Sequence, residues 1–147
     1  MTVRSGFKLR PRFEQVRALR TGLRDRLTPL GVAEVDVDRL VLVVDEMVSN
    51  AIEHGENYRR PDDLLTVRFV VEADHVDLEF LDPAVPGATV TQILALLAQC
   101  RSGRPPLDSE RGRGLFLIDD GLDSLDIAGE PDGIGLRLRG RLLRAAT

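Results

Sequence analysis

Glu46, Asn50 and His54 stand four residues apart within VDEMVSNAIEHG (44–55), so on a helix a carboxylate, an amide and an imidazole project as one ridge. Val41, Val44, Val48, Ala51 and Ile52 recur at helical spacing and supply a separate apolar stripe. The polar ridge therefore runs along the margin of the buried face, where it can line a pocket; the same row also fits an amphipathic helix whose polar side meets water. A second group, Glu110-Arg111-Gly112-Arg113-Gly114-Leu115, stands before the apolar Phe116, Leu117 and Ile118 and predicts a glycine pair directly ahead of a helix start. Glycines there let backbone N–H groups approach an anion, and a helix N-terminus adds unpaired donors and partial positive charge. With Arg111 and Arg113 as supplementary cations this makes a phosphate site, against the plainer reading of a loop with two turn glycines. Between the two groups, Val76 to Asp82 alternates like a strand and ends in an aspartate followed by Pro83. That aspartate can accept a hydrogen bond from an amino group on a ligand, or cap a turn.

The elements that must hold these residues follow from periodicity. A strand is predicted at Val3–Leu9, then a helix opened by Pro11 and reaching about Leu27, a Thr-Pro-Leu-Gly turn, and the motif helix from about Asp36 to His54, stopped by Gly55. Glu56–Asp63 reads as a polar loop. Strands at Leu65–Glu72 and His75–Asp82, joined at Ala73-Asp74, predict an antiparallel pair with one buried face. A short helix at Thr89–Ala98 precedes the stretch Gln99–Arg113, whose Gly103, Pro105, Pro106 and charged side chains predict a mobile loop. A third long helix begins at Gly114 and ends at Gly121. A last hairpin, Ser124–Ala128 and Ile134–Leu142, folds about the turn 129–133. No internal repeat is visible. Mostly antiparallel strands with helices on one face predict a two-layer α/β sandwich with a mixed, mostly antiparallel sheet.

Taken in order, the ExxxNxxxH helix, the strand-terminal aspartate and the GxG at a helix start resemble the GHKL superfamily of ATPases and kinases. Within it the chain is most similar to the stand-alone anti-sigma-factor serine/threonine kinases of bacteria, over nearly its whole length. The resemblance implies the Bergerat-type ATP-binding fold as one domain, 1–147, with ATP and Mg²⁺ as cofactors and residues 99–113 as the ATP lid. It places the catalytic glutamate at Glu46, the Mg²⁺-binding asparagine at Asn50, the basic position of the same helix at His54, the adenine-reading aspartate at Asp82 and the second glycine box at Gly112 and Gly114, with Arg111 and Arg113 beside it. Two features depart from the family pattern. The first glycine box, D-x-G-x-G, is here Asp82-Pro83-Ala84-Val85-Pro86-Gly87, and the threonine that many members place near the last strands is missing around Asp132–Leu136.

The chemistry implied is phosphoryl transfer. Mg²⁺ prefers oxygen ligands and keeps several waters, so the Asn50 amide oxygen with phosphate oxygens makes a reasonable shell. Glu46, one turn earlier, is then placed to orient or deprotonate a protein hydroxyl. His54 either contacts phosphate through the lid or finishes its helix. The function implied is an ATP-dependent kinase and anti-sigma factor that binds a sigma factor and phosphorylates an antagonist protein, with room for a homodimer. The alternative, to which both departures point, is a regulator that keeps the fold and partner surface but binds nucleotide weakly or not at all. A detached histidine-kinase catalytic domain ranks third, because the only histidines are His54 and His75 and no phosphoacceptor helix accompanies them.

Composition sets the outer bounds. The length of 147 residues with 43% apolar content suits one domain with a sizeable core. Net charge is −4, from 24 acids and 20 bases, and aromatic residues make up 4%, so no basic, aromatic-interleaved surface for nucleic acid is expected. No apolar run is long enough to cross a membrane and MTVRSGFKLR lacks the apolar middle of a signal peptide, which makes the cytoplasm the expected location. The single cysteine, Cys100, excludes an internal disulfide and reads as an ordinary thiol. His75 reads as a surface residue. The arginines of the first helix, Arg10 to Arg26, form a solvated face or a docking surface for an acidic partner.

Overall fold

The computed structural model describes residues 1–104 and 108–145. Its centre is the hairpin that alternation predicts. In β2 (Leu65–Val71) every second residue, Leu65, Val67, Phe69 and Val71, is buried, and in β3 (His75–Pro86) Val76, Leu78, Phe80 and Asp82 take the same face. The turn between them is closed by Glu72 N–H donating to the His75 carbonyl at 2.9 Å. β1 (Val3–Leu9) joins the outer edge of β2, while β5 (Ile134–Leu143) joins β3 and carries β4 (Ser124–Gly129), giving the order β1-β2-β3-β5-β4 among the described residues. All four pairings among the described residues are antiparallel, so the sheet they form is antiparallel throughout rather than mixed.

The two faces of this sheet differ in kind. The buried one meets the helices. The other carries cross-strand pairs of opposite charge: Arg68 and Arg139 both reach Glu79, at 3.3 and 3.0 Å, and Arg141 reaches Asp77 at 2.7 Å, each opposite its partner in the ladder. Such pairs favour this register and leave the face soluble.

Helix α1 (Glu14–Leu27) buries Val16, Leu19, Leu23 and Leu27, a stripe of three- and four-residue steps. It starts three residues later than Pro11 suggested, because the Gln15 side chain accepts from Arg10 N–H and Arg12 N–H bonds back to the Arg10 carbonyl, which makes a turn there. Its arginine face is partly spent within the chain: Arg20 pairs with Asp45 at 3.2 Å, Arg24 with Asp38 at 2.7 Å, and Arg26 bonds Ser5 and Gly6 and lies over the Phe7 ring. A 3-10 turn, Thr28–Leu30, and Gly31 at φ 79° lead into α2 (Glu34–His54), the motif helix, which has Leu40, Val43, Val44, Met47 and Val48 on its buried side. Below it, α4 (Glu110–Gly121) runs antiparallel and very close. A Cβ on Gly114 would stand 2.2 Å from Asn50 Nδ2 and one on Gly121 would stand 2.6 Å from Val43 Cγ2, so two glycines a heptad apart form the seam between the helices.

Boundaries on the far side of β3 also depart from expectation. β3 does not stop at Asp82: it continues through a register shift to Pro86, and α3 (Gly87–Arg101) follows at once, longer at both ends than Thr89–Ala98. Proline is tolerated there because the irregular pairing asks for no donor. α4 begins at Glu110 rather than Gly114. Ser109 caps it, its hydroxyl accepting from Gly112 N–H at 3.0 Å, so Gly112 and Gly114 lie inside the helix and not ahead of it. The stretch expected as a loop over 99–113 is therefore helical at 99–101 and 110–113, and its centre, residues 105–107, lies outside the described residues. No helix among the described residues is long and apolar enough to cross a membrane.

Candidate functional site

The α2–α4 seam brings the two sequence motifs together. Asn50, half-buried on α2, lies with its amide against the backbone of Gly114, where any side chain on α4 would evict it. Four residues earlier on the same face, Glu46 is partly exposed, and its pKa is raised above the ordinary glutamate value by burial and then by the negative charges of Asp45 and Glu53. Four residues later, the His54 pKa is lowered by burial and then by the nearby Arg111 guanidinium, which favours the neutral imidazole. His54 Nε2 is buried and has no hydrogen-bond partner among the described residues. His54, Glu53 and Glu110 offer donor atoms within 4.8 Å of one another, across the end of α2 and the start of α4.

Asn50, Asp82 and Arg111 line one cavity, closed on its apolar sides by Phe80, Ile93 and Leu136. Gly112 is buried at the cap of α4, with its N–H taken by Ser109. Arg113 is exposed, and neither it nor Glu46 reaches the cavity wall. Of the sequence-predicted residues, Asn50, Asp82 and Arg111 thus line the cavity and Gly114 backs the Asn50 amide, while Glu46, His54, Gly112 and Arg113 lie off its wall.

The end of the cavity at Asp82 holds a surprise. The Asp82 carboxylate is 1% exposed, and both of its oxygens are engaged by one guanidinium: Arg59 Nη1 donates to Oδ1 at 2.8 Å and Nη2 to Oδ2 at 2.7 Å. Ala84 N–H adds a bond to Oδ1 at 3.1 Å. Arg59 is itself only 7% exposed; its Nη2 also donates to the Ala51 carbonyl at 2.9 Å, and its guanidinium lies 5.8 Å from the Tyr58 ring centre. Burial alone would lower the Arg59 pKa, but the hydrogen bonds and charge of Asp82 more than offset it and hold the cation. The cavity beside this pair measures about 50 Å³, room for a few waters. The donor set at Asn50 and the start of α4 suits a hydrated hard cation and phosphate oxygens; the Asp82 end, with Arg59 seated, does not fit a purine.

Arg59 and Tyr58 belong to the segment that sequence reasoning set aside as a polar loop. The available signal was indirect: an aspartate on the inward register of β3 has to be paired, and the exit of α2 brings Arg59 to it. Ser109 also went unused, although a serine followed by an acid is a helix-start signature.

A profile of the histidine kinase-like ATPase domain matches residues 9–139. Comparison with curated proteins finds no significant match. Among solved structures, a chain of the SiaB–SiaC complex from Pseudomonas aeruginosa superposes with a TM-score of 0.65 at 17% identity, covering 95% of this chain and 89% of that one. A chain carrying the RsbU and RsbW domains of Rv1364c from Mycobacterium tuberculosis gives a TM-score of 0.63 at 16% identity; the match covers 99% of this chain and 34% of that larger one.

Proposed function

The chain belongs to the histidine kinase-like ATPase family, and from that premise we propose that it is an anti-sigma-type protein serine/threonine kinase: it binds Mg·ATP, captures a sigma factor and phosphorylates an antagonist protein. The observation that carries the reading is the seating of the Asn50 amide against Gly114, which joins the ExxxNxxxH helix to the glycine-bearing helix in one place. Support for a protein partner comes from the shared fold with a chain crystallised in a SiaB–SiaC complex and with one that holds an RsbW domain beside RsbU.

Each residue has a role that its surroundings suit. The Asn50 amide oxygen is a hard donor for Mg²⁺. Arg111, on the cavity wall in the first turn of α4, is a cation for phosphate oxygens, aided by the helix terminus. Glu46, its pKa raised, is a better proton acceptor near neutrality than an ordinary glutamate and takes the hydroxyl proton of the serine or threonine substrate. Bound ATP supplies the phosphoryl group. His54, kept neutral, stays by the phosphates without adding charge.

Radiolabelled phosphate transfer to candidate antagonist proteins, with sigma-factor capture in parallel, tests this. Glu46→Gln keeps nucleotide and partner binding and loses transfer by ~10²–10⁴-fold, because glutamine retains shape but accepts no proton. Asn50→Ala loses transfer and Mg-dependent nucleotide affinity together. Equal transfer by wild type and Glu46→Gln would remove the general base. A second reading, a regulator that works by binding alone, draws its support from the Arg59–Asp82 pair; it prevails if wild type transfers nothing yet still captures a partner.

A further inference from the structure

We propose that Arg59 is an internal competitor for the base-binding aspartate: in its closed position it occupies Asp82, and a nucleotide enters only after the side chain swings out. The inference rests on the nucleotide-binding reading above and says what governs that site. A ligand base bound at Asp82 has to offer N–H donors to a carboxylate. The planar guanidinium already does so from Nη1 and Nη2 at 2.8 and 2.7 Å, in the place such a base would need.

The seat of the guanidinium is built for it. A Cβ on Gly55 would lie 2.4 Å from the Ala51 carbonyl oxygen, 2.5 Å from Nη2 and 2.8 Å from Nε, so a side chain there would fit neither the end of α2 nor the seated guanidinium. The Ala51 carbonyl at the end of α2 accepts a third bond. Yet the fit leaves Nε buried without a partner among the described residues, a defect that departure of the side chain relieves. Departure also leaves the framework intact. Tyr58 N–H and Arg59 N–H both bond to the Gly55 carbonyl, at 3.2 and 3.0 Å, so the backbone of the segment keeps its own turn whichever way the side chain points. Neighbouring Arg60 is exposed, so open solvent lies one residue away. What the departure exposes is a carboxylate at the wall of an apolar cavity lined by Phe80, Ile93 and Leu136.

Calorimetric titration of wild type, Arg59→Ala and Arg59→Lys with Mg·ATP tests the proposal, with thermal unfolding run on each variant. If the closed form dominates, the apparent affinity of wild type is reduced by the fraction open, and removing the competitor restores it. Arg59→Ala is expected to bind at least ~10-fold more tightly than wild type, and Arg59→Lys, which keeps the charge but not the two-pronged bond, to fall between them. Equal or weaker binding by a folded Arg59→Ala overturns the gate while leaving the nucleotide reading in place. If Arg59→Ala does not fold, the lysine variant decides by the same rule: tighter than wild type supports the gate and equal or weaker overturns it. No binding by any of the three at millimolar nucleotide overturns both the gate and the reading it rests on.

Discussion

The two ends of the cavity are built on opposite plans. At the α2–α4 end, an asparagine sits against a glycine backbone, half-open to solvent, with a raised glutamate and an arginine nearby. At the β3 end, an aspartate 1% exposed is held on both oxygens by an arginine 7% exposed. One end is arranged half-exposed along a helix seam; the other is buried and taken up by its own arginine. An aspartate on the buried register of a strand is therefore not the same as an aspartate available to a ligand, and in this chain the difference resides in Arg59, a residue outside every motif.

The largest effect is expected from removing the arginine at the Asp82 end. Arg59→Ala leaves the Asp82 charge buried and unpaired, so the nucleotide-free protein should lose about 3–5 kcal/mol of stability in chemical denaturation. A loss below about 1 kcal/mol would mean that the carboxylate is easily hydrated and the end is open after all. Next comes the arranged end. Gly114→Ala drives a Cβ into the Asn50 amide and should cost about 1–3 kcal/mol despite the better helix propensity of alanine. Gly121→Ala meets Val43 instead and serves as its control: both should destabilise, but only the Gly114 change should weaken Mg-dependent nucleotide binding.

Smaller effects sharpen the picture through pH. The Glu46 pKa is raised on folding, so folding favours its neutral form; that favour is full below the unfolded value and lost as pH rises through the folded one. Glu46→Gln should therefore melt slightly higher than wild type at pH 7, by ~0.5 kcal/mol or less, and the advantage should vanish in acid. His54 runs the other way: its lowered pKa means that stability is full above the ordinary histidine value of 6.5 and declines as pH falls through and below it. A His54→Gln variant should show a flatter acid limb in pH-dependent melts. The smallest expected effect lies on the far face of the sheet, where Arg139→Ala removes an exposed pair to Glu79 and should cost under ~1 kcal/mol, shrinking further in salt.

How far the sequence could be read follows the same divide. The motif helix and the β2–β3 hairpin were legible because each has a period, four-residue steps of Glu46, Asn50 and His54 in one and alternation over 65–69 and 76–80 in the other. The start of α4 was not, because Gly112 and Gly114 are poor helix formers and only the Ser109 cap and the packing against α2 hold them in the first turns. The loop expected over 99–113 gave way at both ends to helix, and at the first of them Arg101 bonds Asp119 and the Leu125 carbonyl. Least legible was Arg59. It sits 23 residues before Asp82 in an aperiodic polar stretch, and only the folded chain shows that α2 must exit beside β3.

The strand order sets a sequence of events in time. Val3 of β1 pairs with Val71, and His75 at the start of β3 pairs with Leu143, so two of the four ladders join segments far apart in the chain and only the β2–β3 and β4–β5 hairpins are local. On a ribosome, β1 has to wait for β2 before it has a neighbour, and the inner edge of β3 stands unpaired until β5 emerges. Long-range pairing of this kind makes for slow closure, and the waiting edge is the place where a chaperone, or another nascent chain, would meet this protein first.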